Sequence, residues 1–597
     1  MTEFTTRPEI RGTFGVVTST HWIASAVGFG ILEKGGNAFD AAVATALTLQ
    51  VVEPHLNGPA GDMPAIFHSA KTGKTEVLCA QGPAPAAATI EHYTGLGLNL
   101  IPGSGLLATV IPGAFDGWML MLRDHGVLPL RDVVQPAIDY ARDGHPVLPR
   151  VAHTIDGLTD FFKDEWPSSA ETWMPDGKAP EPHSNFANPA LAATYERLVA
   201  DAEAAHDDRT DQIDAARRAW REGFVADRIF DYLAEASVMD VSGQRNSGVM
   251  TRADMADWRA SYEDTLTYDY HGWTVHKTQA WSQGPVLLQA LAILKGNDLG
   301  SMDPNGAEFV HTVIEAMKLA YADREAYYGD PDHSDIPMDY LLSDAYAAER
   351  HALITPDASQ DQRPGRVPGF EHLADAYIAR AERDFSARTG ASAGEPTMSH
   401  LTEKRGDTVH LDVIDRWGNM VAATPSGGWL QSSPVIPGLG FPLNSRAQMF
   451  WLEPGLPTSL APGRRPRTTL TPSLAEKDGV QLVFGTPGGD QQDQWQLIWF
   501  LRFVHFGLGL QECMDAPLFH SMHFQGSFYP RATAPGEMMI EATFGETVIE
   551  DLRARGHKVS VAEPWTVGRL TAALREKDGT LRAAATPRLM QAYAVGR

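Results

Sequence analysis

The chain has 597 residues, of which 43% are hydrophobic and 21% are charged, so its composition is that of a globular protein with a large buried core. Its formal net charge of -26 gives a strongly acidic surface, which repels nucleic acid and anionic membranes. The composition therefore predicts a soluble protein with neither a nucleic-acid partner nor a membrane partner.

Cysteine content and the N-terminal sequence further restrict the possible classes of protein. Its two cysteines, Cys79 and Cys513, exclude a disulfide framework, and no Cys/His cluster has the spacing of a zinc site. We therefore expect no metal and no cofactor. The N-terminus has no basic region followed by an apolar run, and no stretch of about 18 apolar residues occurs anywhere. We expect a cytoplasmic protein.

The first predicted elements are two helices in "HWIASAVGFGILEKGGNAFDAAVATALTLQVVEP". Gly35 and Gly36 form a signal for the end of the first helix, and Asn37 or Asp40 can begin the second. The second helix is rich in Ala and Val, which predicts burial on most of its sides. A strand and a turn follow in "GKTEVLCAQGPAPAA".

Helices dominate the next part of the chain. An amphipathic helix in "PLRDVVQPAIDYARDGHPV" is stopped by Gly144 and Pro146, and residues 150–260 are predicted to be mostly helical and polar. A strand, "HGWTVHKTQ", then precedes a buried helix, "QGPVLLQALAILKGND". A long helix, "EFVHTVIEAMKLAYADREAYYGDP", is predicted to close at Gly329.

The composition changes again before residue 408. Residues 354–407 are rich in Pro, Gly, Ser and charge, which predicts loop apart from one short helix, with a flexible linker at about 386–407. The chain then becomes rich in strands, and the whole is predicted to be α+β with its strands concentrated late. The late elements are strands at 409–415, 419–424 and 481–485, a C-terminal hairpin, and helices near 490–508 and 543–556.

Common catalytic motifs are absent, but Thr408 has an unusual position. There is no G-x-S-x-G, H-E-x-x-H or P-loop, and "GTPGGD" lacks the P-loop lysine. Thr408, His410 and Asp412 share one face of a predicted strand, which by itself is typical of a surface hairpin. Cleavage before Thr408 would instead create a hydroxyl nucleophile beside an α-amine, whose pKa of about 7.7–8.0 suits a general base.

Eight segments together favour the second interpretation: "ILEKGGNAFDAAVA", "PLRDVVQPAIDYARDG", "WREGFVADRI", "AYADREAYYGDP", "GDTVHLDVIDRWGNMVA", "RPRTTLTPSL", "FGTPGGD" and "DAPLFH". In order and spacing they resemble the γ-glutamyltransferases of the N-terminal nucleophile hydrolase superfamily. The resemblance covers nearly the whole chain. It implies a four-layer αββα sandwich built jointly by two fragments of a self-cleaving precursor.

The resemblance also implies where the precursor is cut. Cleavage is expected at the Asp407–Thr408 bond, giving a large subunit, 1–407, and a small subunit, 408–597. The fragments would stay together as an αβ heterodimer, with an (αβ)2 assembly left open. Thr408 would then attack a substrate amide and form an acyl-enzyme that water or an amine resolves.

Further residues match the catalytic positions of the family. Ser426 matches a second hydroxyl bonded to the nucleophile. Gly488 and Gly489 match an oxyanion hole, for which glycines without side chains are suited, although a plain turn is the alternative. Thr468 and Thr469 match a hydroxyl pair that binds the polar end of the substrate, and could equally be structural strand residues.

The acyl-binding positions depart from the γ-glutamyl pattern. Gln81 stands where an arginine binds the substrate α-carboxylate. Arg446 and Met449 replace a Gln/Asp pair that binds the ammonium, and Gly428 replaces an Asn. A bidentate arginine favours a carboxylate, so Arg446 predicts an acyl group with one carboxylate and no α-amino end, such as an oxamate-like, glutaryl or other dicarboxylic monoamide group. A structural ion pair is the alternative role for Arg446.

Two more residues complete the predicted substrate site. Trp429 is the expected wall of the acyl pocket, and Asp490 follows the glycine pair. The short segment after Arg446 predicts an open cleft and hydrolysis in preference to transfer. Two alternatives remain, a genuine γ-glutamyltransferase or glutathione hydrolase and a non-catalytic relative acting as a scaffold or binding protein. The acyl group, the leaving amine and the oligomeric state stay open.

Overall fold

The computed structural model describes residues 4–385 and 408–597. The predicted linker at 386–407, with Asp407 of the predicted cleavage site, lies outside the described residues. Helices and strands alternate along the described chain, so the protein is mixed α and β.

The strands and helices are numbered here in chain order. The strands are β1 (Ile10–Gly12), β2 (Gly15–Ser19), β3 (Met63–Ser69), β4 (Lys74–Ala80), β5 (His145–Pro146), β6 (Asn185–Phe186), β7 (Val238–Met239), β8 (Arg245–Asn246), β9 (Ser261–Asp264), β10 (Leu266–Tyr270), β11 (Trp273–Lys277), β12 (Leu411–Asp415), β13 (Met420–Ala423), β14 (Ser473–Lys477), β15 (Val480–Gly485), β16 (Phe519–Ser521), β17 (Glu537–Glu541), β18 (Lys558–Ala562), β19 (Thr571–Arg575), β20 (Leu581–Ala585) and β21 (Tyr593–Gly596). The helices are α1 (Trp22–Glu33), α2 (Ala38–Val52), α3 (Ile90–Gly95), α4 (Ala114–His125), α5 (Leu130–Asp143), α6 (Pro149–Gly157), α7 (Thr159–Glu165), α8 (Pro167–Trp173), α9 (Pro189–Ala205), α10 (Arg209–Arg221), α11 (Phe224–Glu235), α12 (Arg252–Asp257), α13 (Pro285–Leu294), α14 (Ala307–Tyr327), α15 (Met338–Leu341), α16 (Asp344–His351), α17 (Glu371–Phe385), α18 (Gln492–Phe506), α19 (Leu510–Asp515) and α20 (Glu546–Ala554).

Two seven-stranded antiparallel sheets form the centre of the molecule. One has the strand order β21-β2-β12-β13-β3-β4-β9, and the other has the order β1-β20-β19-β15-β14-β11-β10. Both sheets contain strands from before and after residue 408. In the first sheet, β12 and β13 pair with each other and lie between β2 and β3.

Successive strand side chains point to opposite faces, and both faces of each sheet are buried. Ile414 and Met420 of the first sheet pack with Leu474 and Val483 of the second in one apolar cluster. On its other face, the first sheet packs with α1, α2, α4 and α5 through residues such as Val413. The second sheet packs with α13, α14 and α18.

Many predicted elements are confirmed. Asn37 accepts hydrogen bonds from the N–H groups of Phe39 and Asp40, and the Asp40 carboxylate accepts one from the N–H of Asn37, which forms a capping box at the start of α2. Every residue of α2 is buried, as its composition predicts. The strands predicted at 409–415, 419–424 and 481–485 correspond to β12, β13 and β15.

Two expectations from the sequence are wrong. The strands are not concentrated late, because seven strands of the two large sheets, β1, β2, β3, β4, β9, β10 and β11, precede residue 278. Strands such as β2 are buried at every residue, so their sequences lack the polar alternation that marks a half-exposed strand. The short helix predicted within 354–407 is the 15-residue α17.

Across the two described ranges, 4–385 and 408–597, no helix combines the length and the apolar character that crossing a membrane requires.

Glu53 lies directly after α2 and has a fully buried carboxyl group. The carboxyl accepts hydrogen bonds from Thr20 Oγ1 at 2.5 Å and from Gln591 Nε2 at 3.0 Å. Burial raises the pKa of Glu53 to about 7, and the hydrogen bond from Thr20 and the charges of Arg569 and Arg150 only partly oppose this rise. Ionisation of Glu53 above pH 7 therefore lowers the free energy of unfolding.

We predict that Glu53→Gln stabilises the protein above neutral pH by about 1–3 kcal/mol. Below about pH 4.5 the wild-type carboxyl is protonated in both the folded and the unfolded state, so the variant gains little. As the pH rises from there to about 7 the wild type loses stability, and the difference in melting temperature between the two proteins should widen. Melting curves from pH 5 to pH 8 measure it, and a constant difference would contradict the pKa assignment.

Candidate active site

The predicted nucleophile lies just before the start of β12, next to the chain that follows the end of β13. Thr408 precedes β12 and forms an isolated antiparallel bridge with Ser426, which follows β13. The N–H of Val409 donates to the Pro425 carbonyl at 3.2 Å and continues the pairing. Thr408 Oγ1 lies 3.2 Å from Ser426 Oγ, and both residues are buried. The structure therefore brings together the two hydroxyls that the sequence singles out.

Ser426 is held from two further directions. Its main-chain N–H donates to the Asp62 carbonyl at 3.0 Å, and the N–H of Asp62 donates to the Ser426 carbonyl at 2.9 Å. Trp429 Nε1 donates to Ser426 Oγ at 3.2 Å and to the Leu56 carbonyl at 2.9 Å. The indole therefore lies against the hydroxyl pair, at the place expected for a pocket wall.

The face shared by Thr408, His410 and Asp412 is buried between the two sheets, and the surface hairpin suggested by the local pattern is wrong. His410 Nδ1 lies 2.8 Å from Thr424 Oγ1, and His410 Nε2 lies 2.9 Å from Asp412 Oδ1. Asp412 Oδ2 also accepts from Thr571 of the second sheet at 2.7 Å. This polar row joins β12 to the opposite sheet.

The glycine pair lies in the turn that leads from β15 to α18. Gly488 has φ +132° and Gly489 has φ +57°, and a Cβ atom on Gly488 would lie 2.2 Å from the Trp495 ring. The turn therefore requires glycine at position 488. Its location follows from Gly485 at the end of β15, where a Cβ atom would lie 2.2 Å from the His410 ring. The turn thus leaves the sheet next to the polar row that begins at Thr408.

Arg446 is fully buried and forms the ion pair that the sequence left as an alternative role. Its Nε donates to Asp62 Oδ1 at 2.7 Å. Its guanidinium carbon lies 4.9 Å from the Trp429 ring centre and 6.0 Å from that of Phe528. Trp429, Met449 and Phe528 form a small buried apolar cluster beside it.

The threonine pair lies on the other side of Asp62. Thr468 Oγ1 lies 3.5 Å from Asp62 Oδ2, and the Thr468 main chain bonds to Trp281 and Gln283 at 2.9 Å each. Thr469 is fully buried. Asp62 therefore connects Ser426, Arg446 and Thr468 into one contiguous group.

The other two predicted substrate-binding residues have different surroundings. Gln81 follows β4, and the pairing of Met63 with Ala80 places it beside Asp62 at the end of the strand pair. Its Nε2 donates to the Gly82 carbonyl at 3.1 Å. Asp490 accepts from Arg324 at 2.5 Å and from Ser527 Oγ at 2.6 Å. Burial raises the pKa of Asp490, but Arg324 and Arg467 together hold it below its ordinary value.

Asp62 is the residue that sequence reasoning missed. It lies between Gly61 and the buried strand β3, in "GPAGDMPAIF". The sequence feature that could have identified it is a single acidic residue directly before the apolar run that forms β3. A carboxylate at such a position must be buried, and buried carboxylates require a partner.

Among the described residues, the potential metal-binding atoms of His311, Glu315 and His557 all lie within 4.8 Å of one another. Lys318 and Arg363 contact the two Glu315 carboxylate oxygens at 2.6 and 2.8 Å. His311 Nδ1 lies 2.9 Å from His557 Nε2. The two cations already balance the glutamate charge, and the cluster links α14 to the chain before β18.

The geometry and the motifs agree with comparisons to known proteins. The Gamma-glutamyltranspeptidase family matches residues 24–596 of the chain. The chain belongs to this family. The resemblance predicted from the eight segments is therefore confirmed, and the protein is an enzyme of the gamma-glutamyltranspeptidase family.

Relatives with several names are similar over nearly their whole length. Acylase ACY 1 proenzyme of Pseudomonas sp. (strain SE83) is 30% identical over 96% of this chain and 92% of its own. Oxamate amidohydrolase proenzyme of Klebsiella pneumoniae subsp. pneumoniae is 30% identical over 96% of this chain and 97% of its own. The solved structure of LmbA2991HD is 52% identical, covers 100% of both chains and superposes with a TM-score of 0.91.

We predict that Gly488→Ala destabilises this gamma-glutamyltranspeptidase family member by about 1–3 kcal/mol, because the new Cβ must displace the Trp495 ring from a positive-φ turn. Gly296→Ala is the matched control, since a Cβ atom there meets no other atom within 4 Å. Thermal melting of both variants measures the effect. Equal melting temperatures for the two would show that the turn tolerates a side chain.

Proposed function

We propose that the protein is a self-processing amidohydrolase whose nucleophile is Thr408. The observation that carries the proposal is the buried hydroxyl pair, Thr408 Oγ1 and Ser426 Oγ at 3.2 Å, on paired segments beside Trp429. The family membership and the proenzyme names of relatives support the same reaction type.

The first step in this proposal is cleavage of the chain before Thr408. The Thr408 hydroxyl attacks the Asp407 carbonyl carbon, and the acyl group moves from the Thr408 nitrogen to its oxygen. Water then hydrolyses the ester, which releases the Asp407 carboxylate and leaves Thr408 with a free α-amine. The products are the large fragment, 1–407, and the small fragment, 408–597.

Both fragments stay together in this proposal because each of the two large sheets contains strands of both fragments. β12 and β13 of the small fragment lie between β2 and β3 of the large one. We propose that this αβ heterodimer has the four-layer αββα arrangement expected for N-terminal nucleophile hydrolases. The apolar clusters between the sheets and on their outer faces support that arrangement.

The same hydroxyl would then act on the substrate. Thr408 Oγ1 attacks the amide carbonyl carbon, and its proton passes to the α-amine and then to the leaving amine. Ser426 and Trp429 hold the hydroxyl in place. The N–H groups of Gly488 and Gly489 are proposed to stabilise the tetrahedral oxyanion. Water resolves the acyl ester and returns free Thr408.

We propose that the acyl group carries one carboxylate, as in an oxamate-like, glutaryl or other dicarboxylic monoamide. Arg446 is the cation beside the hydroxyl pair, and the relative named oxamate amidohydrolase supports this substrate class. Thr468, Thr469 and Gln81 are proposed to contact the polar part of the substrate, with Trp429 as the wall. Asp490 is proposed to act by supporting the oxyanion turn, since Arg324 and Ser527 hold it.

A genuine γ-glutamyltransferase is the alternative function. Its substrate carries an ammonium group, and the Arg446 guanidinium at the ammonium-binding position would repel it. Brisk release of nitroaniline from γ-glutamyl-p-nitroanilide, with slow turnover of glutaryl-p-nitroanilide and oxamate, would establish the alternative. No turnover of any of the three by processed protein would favour a scaffold or binding role.

We predict that Thr408→Ala abolishes both processing and amide hydrolysis, because alanine has no hydroxyl to attack either carbonyl. A denaturing gel and intact mass should show one chain near 65.0 kDa, while the wild type gives two fragments. Thr408→Ser is the matched control and should still be cut, since serine keeps the hydroxyl. Fragments ending and beginning at 407 and 408 in the alanine variant would reject the nucleophile assignment.

We also predict that Arg446→Gln raises KM at least about tenfold for glutaryl-p-nitroanilide and changes KM for butyryl-p-nitroanilide far less, because only the first has a carboxylate for Arg446. Arg217→Gln is the matched control, since Arg217 pairs with Asp116 at 2.8 Å in another buried ion pair. An equal change in KM for both substrates would show that Arg446 is structural.

A further inference from the structure

Asp62 links the proposed acyl site to the nucleophile through both its main chain and its side chain. Its N–H and C=O both bond to Ser426, whose hydroxyl lies 3.2 Å from that of Thr408. Its carboxylate contacts Arg446 Nε at 2.7 Å and Thr468 Oγ1 at 3.5 Å. Only 1% of its surface is exposed.

The space around this carboxylate is filled, so its position is well defined. A Cβ atom on Gly427 would lie 2.7 Å from Asp62 Oδ1 and 3.4 Å from Arg446 Nε. A Cβ atom on Gly61 would lie 2.1 Å from the Ser426 carbonyl oxygen. Glycines on both strands let Asp62 and Arg446 approach the segment that carries Ser426.

The Asp62–Arg446 pair has no net charge and borders the apolar cluster of Trp429, Met449 and Phe528. Charges in such a poorly solvated place interact several times more strongly than they do in water. Any negative charge that enters the site is therefore attracted by Arg446 and repelled by Asp62. The second effect is strongest for a ligand with two negative charges.

We propose that Asp62 is a specificity-determining residue that limits how tightly the site holds anions and thereby favours release of the product diacid. The inference rests on the proposed function. The substrate monoamide carries one negative charge, at the carboxylate proposed to meet Arg446. Hydrolysis adds a hydroxide equivalent to the acyl carbonyl, frees the amine and leaves a second carboxylate beside Thr408.

The position of that second carboxylate explains why Asp62 would discriminate between the substrate and the product. It forms next to the Thr408 and Ser426 hydroxyls, and Asp62 is bonded to Ser426 on the adjacent strand. Asp62 therefore opposes the dianionic product more than it opposes the monoanionic substrate. This difference favours product release without a large cost to substrate binding.

Asp62→Asn tests the proposal, because asparagine removes the charge and keeps an oxygen for Arg446 Nε, while its NH2 group replaces only the oxygen that accepts the long hydrogen bond from Thr468 Oγ1. Calorimetry on the processed wild type and variant should measure binding of glutarate, oxalate and, as the monoanionic control, butyrate. We expect at least one diacid to bind about tenfold more tightly to the variant, and butyrate to change by less than about threefold. The glutaryl-p-nitroanilide reaction should also show stronger inhibition by that diacid.

Asp116→Asn is the matched control, since Asp116 is a buried carboxylate paired with Arg217 at 2.8 Å and should leave all three affinities unchanged. Diacid affinity that is unchanged or weaker in Asp62→Asn, or a gain equal to that for butyrate, would overturn the proposal. So would the absence of diacid binding to both wild type and variant.

A second comparison is available if the single variant does not fold, since Asp62→Asn removes one charge from a buried ion pair. Arg446→Gln with Asp62→Asn contains two neutral residues and should bind the diacid more tightly than Arg446→Gln alone. Equal binding by these two proteins would reject a charge effect of Asp62. Because binding does not require turnover, failure to hydrolyse any amide would reject the proposed function separately.

Discussion

Main-chain pairing between Asp62 and Ser426 is the constraint on which the rest of the site depends. These two hydrogen bonds, at 2.9 and 3.0 Å, fix the segment after β13 against the segment before β3. The bridge from Ser426 to Thr408 then places the proposed nucleophile, and the Asp62 carboxylate places Arg446. One short stretch of extended backbone therefore positions both the Thr408 hydroxyl and a buried cation. A change in the register of either strand would separate them.

The sheets give this stretch its rigidity. Both neighbours of the nucleophile hairpin, β2 and β3, are strands whose residues are almost all buried, and each sheet is covered on both faces by apolar clusters. Polar residues within such a core must be bonded to one another. Thr408 satisfies this requirement through Ser426, and His410 through Thr424 and Asp412, which also accepts from Thr571 of the opposite sheet. The strand face that begins at the proposed nucleophile thus connects the two sheets.

The sequence predicted the family, the closeness of the Thr408 and Ser426 hydroxyls and, as the alternative to an oxyanion hole, a turn that needs glycine at position 488. Those features depend on residue types at fixed places in short segments, and such local patterns can be recognised without knowing the fold. The order of strands was less accessible, because β2 and β3 are buried on both faces and show no polar alternation. The partner of Arg446 was also not predictable, since Asp62 lies 384 residues away in sequence. Arg446 could be identified as a cation near the site, while its ion pair required the fold.

The mixing of early and late strands in each sheet has a consequence for the proposed self-cleavage. Thr18 and Asp412 are 394 residues apart in sequence and yet share a hydrogen bond across neighbouring strands. Contacts of such long range form late and slowly, because loop closure must be completed before they contribute. The strand that follows Thr408, β12, pairs with β2 only after the intervening chain has been brought to the first sheet. If cleavage before Thr408 requires this arrangement, a cut chain is one that has already folded, and an incompletely folded chain stays uncut and inactive.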